Sequence, residues 1–187
     1  MSARISLIIP TQRRPEGLMT AARSVLAQEG VEPEFSHHPK ATLPLIERPG
    51  VAMRLIAGRA FGERAPARTY SEMFYLAVEL APGARLELPP EHEERGVYVV
   101  DGDVSIGGQS VAPYHLAVLV TGETVEVSAA TASRLMLLGG AKMDGDRIIW
   151  WNFVASAKEL IEAGKLRWRD QGFPPVPGET EFIPLPD

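Results

Sequence analysis

The chain contains no cysteine, which excludes disulfides, thiolate metal centres and cysteine nucleophiles. It also lacks any run near the roughly 20 apolar residues of a membrane helix. Its first apolar stretch, Ile5-Ser6-Leu7-Ile8-Ile9, is too short for a secretory core and stops at Pro10. A cytoplasmic location is the resulting expectation. Positive charge is in deficit, with a net charge of −5 at pH 7. Residues 1–30 carry +2 and residues 31–187 carry −7. An acidic main body argues against a broad grip on nucleic acid. No G-x-S-x-G elbow, Walker loop or dinucleotide loop occurs.

What is present is mostly strand. At 187 residues, 45% hydrophobic and 23% charged, the chain can bury the core of one domain. Ile5–Ile9 reads as a short buried strand. Pro15 then opens an amphipathic helix through Leu18, Ala21, Ala22, Val25 and Leu26 that stops at Gly30. Pro33 to Pro49 reads as an extended connector. Beyond it the hydrophobic period becomes two, at Val51–Ile56 and Met73–Leu80. Short strand candidates follow at Leu86–Leu88, Gly96–Val100, Val104–Ile106, His115–Val120, Thr124–Val127 and Ser133–Gly139. Glycine-marked turns separate them, including the two Asp-Gly-Asp triplets at 101–103 and 144–146. The pattern predicts an antiparallel sandwich or barrel. Ile148–Val154 reads as one further strand, and a helix over Ala157–Ala163 is expected between Ser156 and Gly164. The proline-rich tail from Phe173 to Asp187 is expected to lie extended, pinned by Phe173, Val176, Phe182, Ile183 and Leu185.

The spacings from Gly83 to Gly102 and from Gly107 to Pro113 resemble the two cupin motifs, G-x5-H-x-H-x3,4-E-x6-G and G-x5-P-x-G-x2-H-x3-N. Their scaffold residues are matched and their ligands are not. The tandem histidines are reduced to Pro90-Glu91-His92, and Arg95 stands at the carboxylate position. His115 replaces the second motif's glycine, Val118 its histidine and Gly122 its asparagine. One imidazole, a cation and a valine cannot hold a divalent ion. No catalytic residue, metal ligand or cofactor is therefore expected. His92, Arg95, Tyr98 and His115 are the candidate pocket residues. His37-His38-Pro39 lies in the connector and is not read as a metal site.

Longer segments carry a resemblance to one family. Val51-Ala52-Met53-Arg54-Leu55-Ile56-Ala57-Gly58, Gly96-Val97-Tyr98-Val99-Val100-Asp101-Gly102, Ile149-Trp150-Trp151-Asn152-Phe153-Val154 and Phe173-Pro174-Pro175-Val176-Pro177-Gly178 resemble the C-terminal cupin of pirins. The resemblance implies a double-stranded β-helix jelly roll over residues 31–187, with a C-terminal helix and tail. It implies a parent family of two-cupin proteins whose N-terminal barrel binds iron, associated with quercetin dioxygenase activity and with protein partners. None of that N-terminal ligand set matches residues 1–30. The expected role is thus a non-catalytic cupin acting through protein contacts or self-association, or a truncated remnant. Trp150, Trp151, Phe153, Phe173 and Phe182 are expected to be structural or interface residues. A quercetinase-like iron oxidoreductase is the alternative.

Ile5-Ser6-Leu7-Ile8-Ile9-Pro10-Thr11-Gln12-Arg13-Arg14-Pro15 and Ser24-Val25-Leu26-Ala27-Gln28 resemble instead the opening of family 2 glycosyltransferases. Residues 1–30 are read as a short strand–helix appendage of that type, not an independent domain. A glycosyltransferase fragment is the least favoured functional reading.

Overall fold

The computed structural model describes residues 5–10, 36–143, 145–174, 178 and 180–186, with side chains described from residue 36 onward. The protein is mainly β. Its strands are β1 (Ile5–Pro10), β2 (Leu45–Arg48), β3 (Val51–Ala60), β4 (Glu63–Arg64), β5 (Met73–Leu80), β6 (Arg85–Leu88) and β7 (Glu94–Asp101). They continue with β8 (Val104–Ile106), β9 (Gln109–Val111), β10 (His115–Leu119), β11 (Val125–Ala129), β12 (Ser133–Gly140), β13 (Ile148–Trp150) and β14 (Phe153–Ala155), followed by helix α1 (Lys158–Arg169). The chain forms two compact units. One holds β1 to β12, the other β13, β14, α1 and the tail.

The β-rich unit is a jelly-roll sandwich of two sheets that do not close into a continuous barrel. The larger sheet runs β1-β10-β7-β12-β5-β3-β2, with β4 paired to β3; the smaller runs β6-β11-β8-β9. Every pairing is antiparallel. Alternation fixes the faces. Met53 and Leu55 of β3, Leu76 and Val78 of β5, Val97 and Val99 of β7, and Leu135 and Leu137 of β12 are buried between the sheets. Leu86, Ile106, Val125 and Val127 close the core from the smaller sheet. β-Branched and γ-branched side chains fill such an interior in few rotamers. At Gly58 the backbone has φ +75° and any Cβ would collide with the Met73 carbonyl, so β3 and β5 approach this closely only through glycine.

Several local readings need correction. The connector is not featureless, since it contains a 3-10 turn at Lys40–Thr42 and the edge strand β2. The segment Ile148–Val154 is a hairpin, with Trp151 at φ 51° in the turn between β13 and β14. Ser156 does not cap the helix: Ala157 holds that position without a side-chain cap. The helix also runs through Gly164 to Arg169. That glycine is used for close approach, because a Cβ there would lie 3.3–3.4 Å from the Phe153 ring. The N-terminal strand pairs with β10 along Ile5–Pro10; the helix expected after Pro15 lies outside the described residues.

Candidate functional site

Among the described residues, Arg95 is the one charged residue buried in the β-rich unit, at 3% exposure on the inner face of β7. Its guanidinium donates from Nη1 to the Leu88 and Pro89 carbonyls at 3.2 and 3.1 Å, and from Nη2 to those of Val120 and Glu123 at 2.8 and 2.7 Å. Four charge-assisted bonds tie the end of β6 to the β10–β11 turn. Nε is buried without a partner. Burial lowers the Arg95 pKa from arginine's ordinary value, opposed by the nearby Glu123 charge. The side chain stays protonated because arginine's ordinary pKa is so high. A staple of backbone acceptors thus stands where the cupin motif places a carboxylate.

His92 is half-buried in the β6–β7 loop. Its Nε2 lies 2.8 Å from the Arg59 carbonyl, and since a carbonyl only accepts, that nitrogen carries the proton. The ring tilts against buried Phe74 at 4.7 Å. Glu91 beside it accepts from the Phe61 amide at 3.2 Å, so the loop is laced back onto the β3–β4 hairpin. His115 in β10 donates from Nδ1 to the Pro113 carbonyl at 3.0 Å.

The four candidates do not converge. The pairing of Leu116 with Tyr98 places His115 beside Val99, four residues along β7 from Arg95. That is about 13 Å at about 3.3 Å per residue. Tyr98 points to the opposite face of the sheet from Val97 and Val99. Val118, at the aligned histidine position, also faces out. The inward neighbours on β10 are Ala117 and Leu119, both buried. Among the described residues no three His, Asp or Glu side chains gather as a metal site requires. The described interior offers aliphatic walls and a cation, a donor set that does not fit iron.

An open groove of about 800 Å³ crosses the strand ends, lined in part by Arg48, Ala52, Glu79, Asp101, Ser133 and Arg134. Arg134 is already engaged there. Its Nε donates to Asp101 Oδ2 at 2.7 Å, its backbone amide to Oδ1 at 3.0 Å, and its Nη2 to Oδ2.

The C-terminal unit is built from rings. Trp151 meets Trp168 edge-on at 5.1 Å, and Phe153 lies 6.1 Å from Trp168 and 6.3 Å from Phe173. Trp150 stacks parallel to Phe153 at 6.3 Å with Lys165 Nζ 4.1 Å over its face. Phe182 stacks on Trp168 at 6.0 Å. The five aromatic residues singled out from sequence are brought together. Their centre, Trp168, was not among them. Its signal was helical spacing, since Ile161, Gly164 and Trp168 mark the inner stripe of α1.

The fold and its interior define a cupin-type jelly roll without a described metal-ligand set. The chain matches the Pirin C-terminal cupin domain over residues 75–174, more than half its length, and it belongs to that family. It is 43% identical over 162 residues to a pirin-like protein of Caulobacter vibrioides, covering 85% of this chain and 56% of that protein. It is 32% identical over 165 residues to a putative quercetin 2,3-dioxygenase of Pseudomonas aeruginosa, covering 87% of this chain and 51% of that protein. The chain spans about half the length of the curated relatives it matches. The crystal structure of quercetin 2,3-dioxygenase from Acinetobacter baumannii superposes with a TM-score of 0.65 at 22% identity, over 78% of this chain and 50% of that one. That likeness speaks to the fold alone. No described helix is long and apolar enough to cross a membrane.

Proposed function

We propose that the chain is a non-catalytic cupin that acts through protein contacts. The observation that supports this is the composition of the described inner wall, where Ala117 and Leu119 line β10 and Arg95 is consumed by four carbonyls. A non-haem iron site needs converging imidazoles and carboxylates with positions left open for substrate. Nothing in the described interior supplies that set, so no catalytic step is derived through iron. In the family resemblance this barrel partners a second one. The surface that such a partner covers is the proposed site of self-association or of a protein partner, because large exposed apolar patches favour association. A cytoplasmic setting without nucleic-acid binding accompanies this reading.

The second reading is a quercetinase-like iron oxidoreductase. It is favoured by the 32% identity to the putative quercetin 2,3-dioxygenase of Pseudomonas aeruginosa. The reading of residues 1–30 as a glycosyltransferase-type appendage rests on their sequence pattern alone. Metal analysis of the purified chain separates the two main readings. The contact-module reading expects well below about 0.1 iron per chain and no oxygen uptake with quercetin. Near-stoichiometric iron with flavonol-dependent oxygen uptake would overturn it.

A further inference from the structure

We propose that the aromatic face of the C-terminal unit is a binding site for an extended, proline-containing apolar segment of a partner protein, and that residues 181–186 occupy this site in cis. The tail itself supplies the template. Residues 180–186 form neither helix nor strand, and Pro184 and Pro186 restrict the backbone before any contact is made. In a polyproline II conformation three residues complete a turn, so positions three apart share an edge. Phe182 and Leu185 have that spacing, and both meet the aromatic cluster. Phe182 stacks on Trp168 at 6.0 Å and 27°. Leu185 packs against the cluster built on Phe153, Ala155 and Ile161.

Between them, the Trp168 indole Nε1–H donates to the Ile183 carbonyl at 2.9 Å. A polyproline segment has no internal hydrogen bonds, so its carbonyls are free for such a donor. Aromatic-lined surfaces of this kind are a recurrent way of reading proline-containing peptides. Cations border the face, with Arg167 4.5 Å from the Phe173 centroid and Lys165 4.1 Å from that of Trp150. They suit a segment flanked by acids, as Glu181 and Asp187 flank the tail in sequence.

The occupancy is shallow. Phe182 remains 46% exposed and Ile183 51% exposed. A tethered ligand competes at an effective concentration in the millimolar range, so a peptide in trans binds weakly until the tail is disabled. This inference deepens the contact-module reading, yet the two fail separately: iron analysis tests the barrel, and peptide binding tests the tail face.

The experiment uses the full chain and a fluorescent peptide of the sequence Thr180–Asp187. Fluorescence anisotropy is expected to show roughly tenfold tighter binding to the Phe182→Ala/Leu185→Ala double variant than to wild type. Adding Trp168→Phe, which keeps a ring and removes the donor, is expected to reverse that gain. A scrambled peptide with displaced prolines is expected not to bind. Equal binding to wild type and double variant, or equal binding of the scrambled peptide, would overturn the proposal. A wild-type dimer that the peptide dissociates would assign the face to the tail of a second copy and overturn it likewise. Should the double variant fail to fold, wild type carries the test. With excess of the same peptide carrying a nitroxide spin label, the Trp168 indole proton resonance, assigned through Trp168→Phe, is expected to broaden, and an unbroadened resonance refutes the site.

Discussion

The β-rich unit and the C-terminal unit bury their apolar surface in opposite ways. Between the sheets of the first, aliphatic side chains dominate and Phe74 is the lone aromatic among the fully buried cluster. In the second, the buried apolar side chains among the described residues are Phe153, Ala155 and Ile161, and around them stand half-exposed rings. Aliphatic interiors are dense and fixed, and they contribute stability without chemistry. Rings at a boundary keep an edge, a face or an indole N–H available to another molecule. In packing terms the larger unit is therefore an aliphatic scaffold, and the described cluster of rings packed on one another lies in the smaller one.

The sharpest way to break that comparison is at Arg95, the one charged side chain buried inside the scaffold among the described residues. Arg95→Met keeps most of the volume but strands four carbonyls, two of them bonded at 2.8 and 2.7 Å. Unsatisfied buried acceptors cost about 1–3 kcal/mol each, less where water can enter. The expected loss is about 4 kcal/mol in urea unfolding followed by far-UV circular dichroism. A loss below about 1 kcal/mol would mean the mouth rearranges and the staple is dispensable.

A matched pair of truncations ranks next. All three tryptophans, Trp150, Trp151 and Trp168, lie in the C-terminal unit, so fluorescence excited selectively at tryptophan reads that unit alone. Leu137→Ala at a fully buried β12 position is expected to cost about 3 kcal/mol and to move the circular dichroism transition. Phe153→Ala removes the ring that four other aromatics contact. It is expected to cost about 3 kcal/mol and to move the fluorescence transition first. Identical shifts of both signals by both variants would show the units to be one cooperative body.

The scaffold was the more legible of the two. Strands β3 and β5 declare themselves through a period of two, broken in β3 at the bulge between Leu55 and Ala57, because one face of each meets the core. Edge strand β2 does not, since only Ile46 of its four residues packs inward and Pro44 and Pro49 bracket it. The hairpin turn was hidden because Trp151, a bulky residue at positive φ, stands where glycine is the usual signal. The position of Arg95 in the motif was readable, but its task was not. Its acceptors are backbone carbonyls 6 to 28 residues away in sequence, and backbone groups leave no mark in composition. The tail showed its apolar residues individually, while the three-residue period joining Phe182 and Leu185 becomes meaningful only with Trp168 beside it.

The smallest expected effect comes from the exposed counterpart of Arg95. Arg134 and Asp101 form a multiply bonded ion pair at the groove, with side chains 63% and 42% exposed. Hydrogen bonding from Arg134 holds the Asp101 carboxyl below the usual carboxylate range, with slight burial opposing. A carboxylate whose folded pKa is depressed adds stability above its unfolded pKa and loses it as pH falls through the folded value. Asp101→Asn is therefore expected to lower the urea midpoint slightly at pH 7. The difference from wild type is expected to shrink as pH falls below about 4, and to shrink at pH 7 when salt screens the exposed charges. A difference that persists undiminished at low pH would trace to the backbone hydrogen bond from the Arg134 amide and not to charge. An effect larger than that of Arg95→Met would invert the comparison, placing the decisive polar contact on the rim of the scaffold instead of within it.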